Sequence, residues 1–329
     1  MFIAKIKDNL SADEAQAALP EGRSQSVELY GRRWLFSPDP LETYPVVEPA
    51  TVKSLDQDFK LSSRKFKPED TYFDLSPQLA LSPDKTLMVA GPCAVESYDQ
   101  IMRSAEFLAG LGIRAFRAGA FKPRTTPWKF QGLGEEGLRL LDEVRRQFGF
   151  TIFTEVRSGG HVAAVAEVAD VIQIGAKAMY DHDILRGCGD LRKPILLKRG
   201  FGSTLKELLL AADFILQGGN ERVALCFRGT RDFESETRFS MDIGGAVRCR
   251  EMSHLPIVID PSHAVGIASL VPQLALAGAA IGPAALLVEV HPNPAEAKSD
   301  AAQALSHEVF EKLYRQCQAV AQAVGKELY

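Results

Sequence analysis

Eight short apolar runs in this chain each end in residues that can do chemistry. In chain order these ends carry Cys93, then Arg117 followed by Lys122 and Arg124, then Glu155, and Gln173 followed by Lys177. Further along come Lys198 and Arg199, Arg228 and Arg231, Asp260 and His263, and finally Glu289 and His291. Six or more cations gathered on one rim would repel one another unless the site holds anions, and the planar Arg fork suits phosphate and carboxylate. The set points to small phosphorylated substrates, although any single Lys or Arg reads equally well as a solvated surface charge. Cys93, His263, Glu289 and Asp300 offer sulfur, nitrogen and carboxylate oxygen, a mixed set suited to Mn2+, Fe2+, Co2+ or Zn2+. From spacing alone that reading competes with a blander one, because a lone Cys at a strand end more often serves as a small buried hydrophobe.

For so many reactive ends to share one site, the elements that carry them must converge. Apolar runs of 4–7 residues alternate with amphipathic stretches of 10–16 residues, the pattern of βα units building a parallel sheet. The runs are LMVAGPC (87–93), AFRAGAF (115–121), TIFTEV (151–156), VIQIGA (171–176), PILLKRG (194–200), VALCFRG (223–229), PIVIDPS (256–262) and ALLVEVHP (285–292). The spacing predicts helices between them: Ile101, Ala105, Leu108 and Gly112 share a face of the first, and Phe310, Leu313, Cys317, Val320 and Val324 a face of the last. Eight such units could form a doubly wound sheet, but that fold gathers ligands at one switch point, whereas here every run ends in polar residues. A closed (β/α)8 TIM barrel fits better, with its site at the C-terminal ends of the strands. In that geometry His254, just before the seventh run, falls at the opposite end and reads as structural. Cys226 packs in the interior, and Cys188, Cys249 and Cys317 sit in helical segments and carry no chemistry.

The expected fold class is α/β, with a small α+β domain over residues 1–45, a linker and packing arm over 46–75, and the barrel over 76–329. The small domain reads as strand (2–7), helix (11–19) and a two-strand segment (24–37), while the arm sustains neither a period of 2 nor one of 3.6. A length of 329 residues suits one barrel of about 250 residues plus this appendage. The net charge of −4, without a basic block, argues against nucleic acid and anionic membranes as partners. Neither an 18-residue apolar run nor a signal-like N-terminus occurs, which makes a cytoplasmic location the expectation. Five widely spaced cysteines match neither a disulfide framework nor a CxxC metal knuckle and read as reduced thiols.

Six stretches taken in order resemble the 3-deoxy-D-arabino-heptulosonate 7-phosphate (DAHP) synthases over about residues 57–325: GPCAVES (91–97), RAGAFKPRTTPWKFQGLGEEGL (117–138), QIGAK (173–177), LLKRG (196–200), DPSH (260–263) and VEVHPNPAEAKSD (288–300). The likeness is to the type I branch with an N-terminal ferredoxin-like domain, itself related to the 3-deoxy-D-manno-octulosonate 8-phosphate synthases. It implies an aldol-like condensation of phosphoenolpyruvate with erythrose 4-phosphate, releasing phosphate at the first step of the shikimate pathway towards aromatic amino acids. By the same resemblance Cys93, His263, Glu289 and Asp300 hold the divalent metal, and Arg117, Lys122, Lys177, Lys198 and Arg228 grip phosphoenolpyruvate. Lys122, Pro123, Arg124 and Thr125 meet the aldose phosphate. Lys122 donates a proton to the new hydroxyl, Glu155 positions the attacking water, and His263 and Asp260 complete the catalytic and substrate-binding sets. Assembly as a homo-oligomer, dimer or tetramer, and an aromatic amino acid as effector are expectations of the same origin.

Several places depart from the family pattern. Where this branch usually reads GARN, the chain has Gly175-Ala176-Lys177-Ala178, a point charge in place of a bidentate fork. CERG becomes Cys226-Phe227-Arg228-Gly229, the basic pair expected after DPSH is Ile267-Ala268, and SDGxQSL becomes Ser299-Asp300-Ala301-Ala302-Gln303-Ala304-Leu305. These changes keep open a second reading, a paralogue that joins phosphoenolpyruvate or another keto donor to a different aldehyde in a specialised pathway. A third, a catalytically silent metabolite-binding barrel, predicts loss of a metal ligand or of Lys122, and neither is lost.

Overall fold

A computed structural model describes residues 1–18, 24–122 and 126–329, so the expectations for Pro123, Arg124 and Thr125 lie outside the described residues. The chain opens with β1 (Phe2–Lys5), α1 (Ala12–Ala17), β2 (Gln25–Leu29), β3 (Arg32–Ser37) and β4 (Lys53–Ser54), whose strands form an antiparallel sheet in the order β2-β3-β1-β4. That is the strand order of a ferredoxin-like unit, with one helical turn, Pro49–Thr51, where a second helix would stand. Tyr30 and Gly31 both take positive φ, 55° and 67°, which makes the tight turn whose twist suits the β2–β3 hairpin. Side chains alternate across the sheet. Ala4, Ile6 and Leu35 pack with Ala15, Leu41, Val46 and Val47, while Ile3, Trp34 and Phe36 face the other way and join the main core of the barrel. β4 falls in the stretch that reads as linker; two residues carry no period, and only pairing with β1 defines them.

A short hairpin, β5 (Asp74–Ser76) and β6 (Leu79–Ala80), precedes the barrel. Its strands are β7 (Lys85–Gly91), β8 (Ala115–Arg117), β9 (Thr151–Val156), β10 (Val171–Ile174), β11 (Ile195–Lys198), β12 (Val223–Phe227), β13 (Ile257–Ile259) and β14 (Ala285–Glu289). Each pairs in parallel with the next, and β14 pairs with β7, so the sheet closes. Around it run α2 (Tyr98–Gly110), α3 (Glu135–Phe148), α4 (Val162–Val168), α5 (His182–Asp190), α6 (Leu205–Gln217), α7 (Ile243–Met252), α8 (Pro261–Val265), α9 (Val271–Ala280) and α10 (His307–Ala323), and β15 (Glu327–Leu328) ends the chain against β7.

The barrel interior is apolar below and polar, mostly charged, above. Ala115, Phe153, Val171, Leu196, Cys226, Val258 and Leu287 fill its lower part, and Leu75, Leu79 and Leu81 of the hairpin plug the N-terminal end. Two residues beyond these strand positions stand Arg117, Glu155, Gln173, Lys198, Arg228, Asp260 and Glu289, so the same alternation that buries the apolar layer aims the charged one at the mouth.

Two boundaries differ from the periodic reading. α2 buries Ile101, Ala105 and Leu108 but ends before Gly112, whose φ of 79° belongs to the following turn; Val324 caps α10 and is exposed. β8 and β14 stop at Arg117 and Glu289, short of the full apolar runs, because beyond them the backbone bonds to neighbouring loops, as from Gly119 N–H to the Cys93 carbonyl and from His291 N–H to that of Leu305. Among the described residues no helix is long and apolar enough to cross a membrane, and all five cysteines are buried and unpaired.

His254 fastens the arm to the bottom of the barrel, as its position before β13 suggested. Its Nε2 donates to the Leu61 carbonyl at 2.8 Å, which leaves Nδ1 to accept from the Thr71 hydroxyl at 2.8 Å. Burial, with a smaller push from Lys67 and Arg64, lowers its pKa to about 4. The unfolded chain protonates this ring near pH 6.5 and the folded one only near 4, so its contribution is complete above 6.5 and is lost as pH falls through that window, by up to roughly 3 kcal/mol. Urea unfolding of the wild type and His254→Gln between pH 7.5 and 4.5 should show their stabilities converging towards acid by roughly 2–3 kcal/mol. A difference that stays constant with pH would exclude the linkage.

Candidate active site

Four separate segments deliver four ligand-type side chains to one point. Cys93 stands two residues beyond β7, His263 in α8, Glu289 at the end of β14 and Asp300 in the loop before α10, and one donor atom from each lies within 4.8 Å of the others. Cys93 Sγ is 3.2 Å from Asp300 Oδ2, and His263 Nε2 is 3.2 Å from Glu289 Oε1. The turn that presents Cys93 requires Gly91: its φ is 148°, and a Cβ there would lie 2.1 Å from the Arg117 carbonyl oxygen. Asp300 itself adopts a φ of 51°, a region few residues with a Cβ enter and Asp tolerates better than most.

Two of the donors, His263 and Glu289, are held by groups behind them. Asp260 caps α8 by accepting the His263 backbone N–H at 3.0 Å, and accepts His263 Nδ1–H at 2.8 Å. Asp260 thus holds a proton on Nδ1, and Nε2 is the nitrogen that faces Glu289 and Asp300 and would ligate an ion once it gives up its own proton. Lys198 Nζ donates to Asp260 Oδ2 at 3.0 Å. Arg117 donates to Glu289 Oε1 at 2.6 Å and Gln303 Nε2 to Glu289 Oε2 at 2.5 Å.

Burial opposes every one of these carboxylate charges, yet opposite charges win. His263 and Lys198 hold Asp260 well below the usual carboxylate range, His263 and Arg117 lower Glu289, and His263 and Lys122 lower Asp300. Cys93 moves the other way, its thiol pushed up to about 12 by burial and then by Glu289. Two carboxylates aimed at one point repel one another and disfavour the thiolate beside them, and a divalent cation would reconcile all three as ligands. The residues present fit such an ion.

A cavity of about 580 Å³ opens beside this cluster at the mouth of the barrel. Its wall includes Lys122, Glu155, Lys177, Lys198, Arg228, His263 and Asp300. Lys122 links wall and cluster, its Nζ 3.0 Å from Cys93 Sγ and 3.1 Å from the Cys93 carbonyl. Arg228 is 5% exposed and lies 4.6 Å over the Phe239 ring, and its Nη1 has no hydrogen-bond partner among the described residues. Burial works against a charged Glu155, but Lys122, Arg157 and Lys198 hold it below its ordinary range. Gly175 makes room for that carboxylate, since a Cβ there would meet Glu155 Oε1 at 2.0 Å.

A family model described as the DAHP synthetase I family matches residues 75–326. The chain belongs to the DAHP synthetase I family. A phospho-2-dehydro-3-deoxyheptonate aldolase of Thermotoga maritima is 43% identical over 287 residues, 87% of this chain and 84% of that protein. A crystal structure of the Thermotoga maritima phospho-2-dehydro-3-deoxyheptonate aldolase (DAHP synthase) superposes with a TM-score of 0.81 at 37% identity, covering 100% of this chain and 99% of the other. A 2-dehydro-3-deoxyphosphooctonate aldolase of Acidithiobacillus ferrooxidans is 33% identical over 262 residues, 73% of this chain and 91% of that protein.

In this DAHP synthetase family member, not every residue marked by its sequence reaches the cavity. Arg117 and Asp260 lie beneath the wall, occupied with Glu289 and with His263 and Lys198. Arg199 turns outward to Asp242 and the Ser203 carbonyl, His291 faces Glu96, and Gln173 is buried with Oε1 unpartnered among the described residues. Conversely, Lys129, Arg157, Arg238, Phe201 and Phe239 line the cavity without having stood out in the sequence, and Gln303 reaches Glu289. Arg157 follows β9 directly and a reading one residue longer would have found it. Arg238 and Phe239 lie in an aperiodic loop closed by a Thr230–Ser240 bridge, which only the fold reveals.

Asp260→Asn tests how firmly this base is bound together. The amide keeps an oxygen for the α8 cap but takes from buried Lys198 its directly bonded counter-charge, and breaking a buried pair costs about 3 kcal/mol. Chemical denaturation should register that loss; a change under about 1 kcal/mol, the value of a surface pair, would show that Lys198 is well solvated.

Proposed function

We propose that this chain condenses phosphoenolpyruvate with erythrose 4-phosphate and water to give DAHP and inorganic phosphate, the first step of the shikimate pathway. The observation that carries the reading is the concentration of eight Lys and Arg side chains, among the described residues, around one cavity that adjoins the four-donor cluster. Such a wall suits two phosphorylated substrates and little else. Arg228 and Lys198, with Lys177 at the rim, take the phosphate and carboxylate of phosphoenolpyruvate, and Lys122 and Arg124 turn to the aldose phosphate. A divalent metal held by Cys93, His263, Glu289 and Asp300 supplies Lewis acidity and orientation at the aldehyde oxygen.

The chain's own groups account for the protons. C3 of phosphoenolpyruvate forms the new carbon–carbon bond to the aldehyde carbon, and the aldehyde oxygen takes a proton from the Lys122 ammonium. Water adds at C2 and passes one proton to Glu155. The bond from C2 to the phosphate oxygen then breaks, the second water proton leaves with phosphate, and C2 becomes a ketone. Lys122 and Glu155 face the same cavity, so return of the proton from Glu155 to Lys122 restores the starting state.

Lys177 favours keeping a second reading, a synthase for another aldehyde, because it is an exposed point charge on the cavity wall at a place where the branch usually has a fork. The main reading also carries a homo-oligomer working in the cytoplasm, with the N-terminal sheet as the module for an aromatic amino acid effector.

Phosphate release from phosphoenolpyruvate, measured against a panel of aldose phosphates, decides between the two aldehydes. Chelation should abolish turnover and Mn2+ or Co2+ restore it; Cys93→Ala should resemble the stripped enzyme, and Cys317→Ala, inside α10, should stay near wild type. Full activity in a metal-stripped sample would sink the metal assignment. Arg228→Ala should raise KM for phosphoenolpyruvate about a hundredfold, as for loss of charged hydrogen bonds worth about 3 kcal/mol, whereas Lys177→Ala should raise it less than about tenfold. Equal effects would mean that burial of Arg228 does not set its share of the grip.

A further inference from the structure

The segment that carries Asp300 leaves the barrel after Val290 and returns at Leu305, where the two residues bridge. His291 N–H donates to the Leu305 carbonyl at 2.9 Å, and Leu305 N–H to that of Glu289 at 3.0 Å. Between these points regular structure amounts to a single turn, Pro294–Glu296, and the chain then runs to Asp300 at positive φ. A ligand on such a loop needs a tether to the rest of the site.

Glu96 provides it. Its side chain is buried, three residues after Cys93 and immediately before the Ser97 cap of α2. Oε1 accepts the Lys298 backbone N–H at 2.9 Å, and Oε2 lies 3.5 Å from His291 Nε2. His291 Nδ1 accepts from Asn293 N–H at 3.1 Å, which puts the ring proton on Nε2; that nitrogen stands beside Glu96 but has no hydrogen-bond partner among the described residues. Gln100 steadies the near side, with Oε1 accepting Glu96 N–H at 3.3 Å and Nε2 donating to the Ala94 carbonyl at 3.3 Å. One carboxylate thereby ties the segment of Cys93 to Lys298, near the Asp300 end of the returning segment, and lies beside His291 at its other end. Ser299, next to the tethered Lys298, comes to rest with Oγ 3.1 Å from Cys93 Sγ.

We propose that Glu96 is a positioning residue for the metal centre, holding Lys298 and through it Asp300 at the separation from Cys93 that a shared ion requires. The inference rests on the metal reading of the Cys93, His263, Glu289 and Asp300 cluster. Glu96 contacts none of those four side chains; its partners are the backbone and the histidine of the loop that bears one of them. Groups that orient ligands from behind are worth about 10–100-fold in metal affinity.

The test is Mn2+ affinity by equilibrium dialysis on the full chain, with amide exchange at Lys298 as a second readout. Glu96→Ala should weaken Mn2+ binding about 10–100-fold and speed exchange at Lys298, while Glu96→Gln, which retains an oxygen for that N–H, should lose less. In an Asp300→Ala background the Glu96→Ala effect should vanish, because Glu96 acts through Asp300. An undiminished effect in that background overturns the proposal, as does wild-type affinity in Glu96→Ala. Should Glu96→Ala fail to fold, Glu96→Gln in both backgrounds gives the same comparison. Cys93→Ala is the control for the reading beneath: wild-type Mn2+ affinity there discards the metal site itself, whereas a loss in Cys93→Ala with none in the Glu96 variants discards only the tether.

Discussion

A carboxylate with no access to water persists only where opposite charges hold it, and the geometry of this site depends on how Glu289 is held. It is fully buried, and Arg117, Gln303 and His263 converge on its two oxygens. From there the charges alternate along a line that crosses the barrel: Arg117, Glu289, His263, Asp260, Lys198. Each member stands at or just beyond a strand end, so hydrogen bonding of the closed sheet sets their spacing before any side chain is placed. Removing one member strands its neighbours in a medium of low dielectric, which ties the whole line into one cooperative unit. His263 is the pivot, since Asp260 holds its Nδ1 proton on one side and Nε2 faces the donors on the other.

Above this line the charges stop alternating and become mainly positive. Aromatic faces carry part of the burden: Arg228 and Arg238 lie over Phe239, Arg231 over Phe201, and the two rings stack with centroids 5.4 Å apart. Stacking desolvates the flat faces of the guanidiniums while leaving their N–H edges free for oxygen acceptors. Burial lowers the Arg228 pKa from its ordinary value, a sign that the cavity is short of negative charge at that point. A balanced lower layer and an unbalanced upper one thus divide the work, the first giving rigidity and the second an appetite for anions.

Much of this was legible in the sequence because both the barrel and its chemistry are periodic. Apolar runs ending in charge marked the eight strands, and Lys198, Asp260 and Glu289 could be read from those ends. Period 2 could have decided more: Lys198 and Arg199 are consecutive, so only one can face inward, and it is Lys198. What stayed hidden lacks any period. Arg238, Gln303 and Glu96 reach the site from loops, and β4 is two residues long, so each acquires its role from contacts distant in sequence. Arg117 illustrates a subtler limit. Its type announces anion binding, but whether the anion is a substrate or Glu289 depends on a 2.6 Å contact spanning 172 positions of chain.

The departures from the family words gain meaning once faces are assigned. Phe227 belongs to the outward side of β12, packed in the core beneath the helices with the Arg199 guanidinium 5.4 Å from its ring, while Cys226 and Arg228 keep the inward side. Ile267 and Ala268 lie past α8, where Ala268 N–H bonds to the Ala302 carbonyl, and neither lines the cavity. In the altered ending the replaced residues leave Asp300 and Gln303 in contact with Cys93 and Glu289. Lys177 alone among the changed side chains stands on the cavity wall. Any difference in substrate preference that these changes bring must therefore enter through an exposed ammonium at the rim, which is not a member of the buried line that sets the positions of the donors. A change there alters how tightly an anion is gripped before it alters which bonds are made, because the line from Arg117 to Lys198 does not include it.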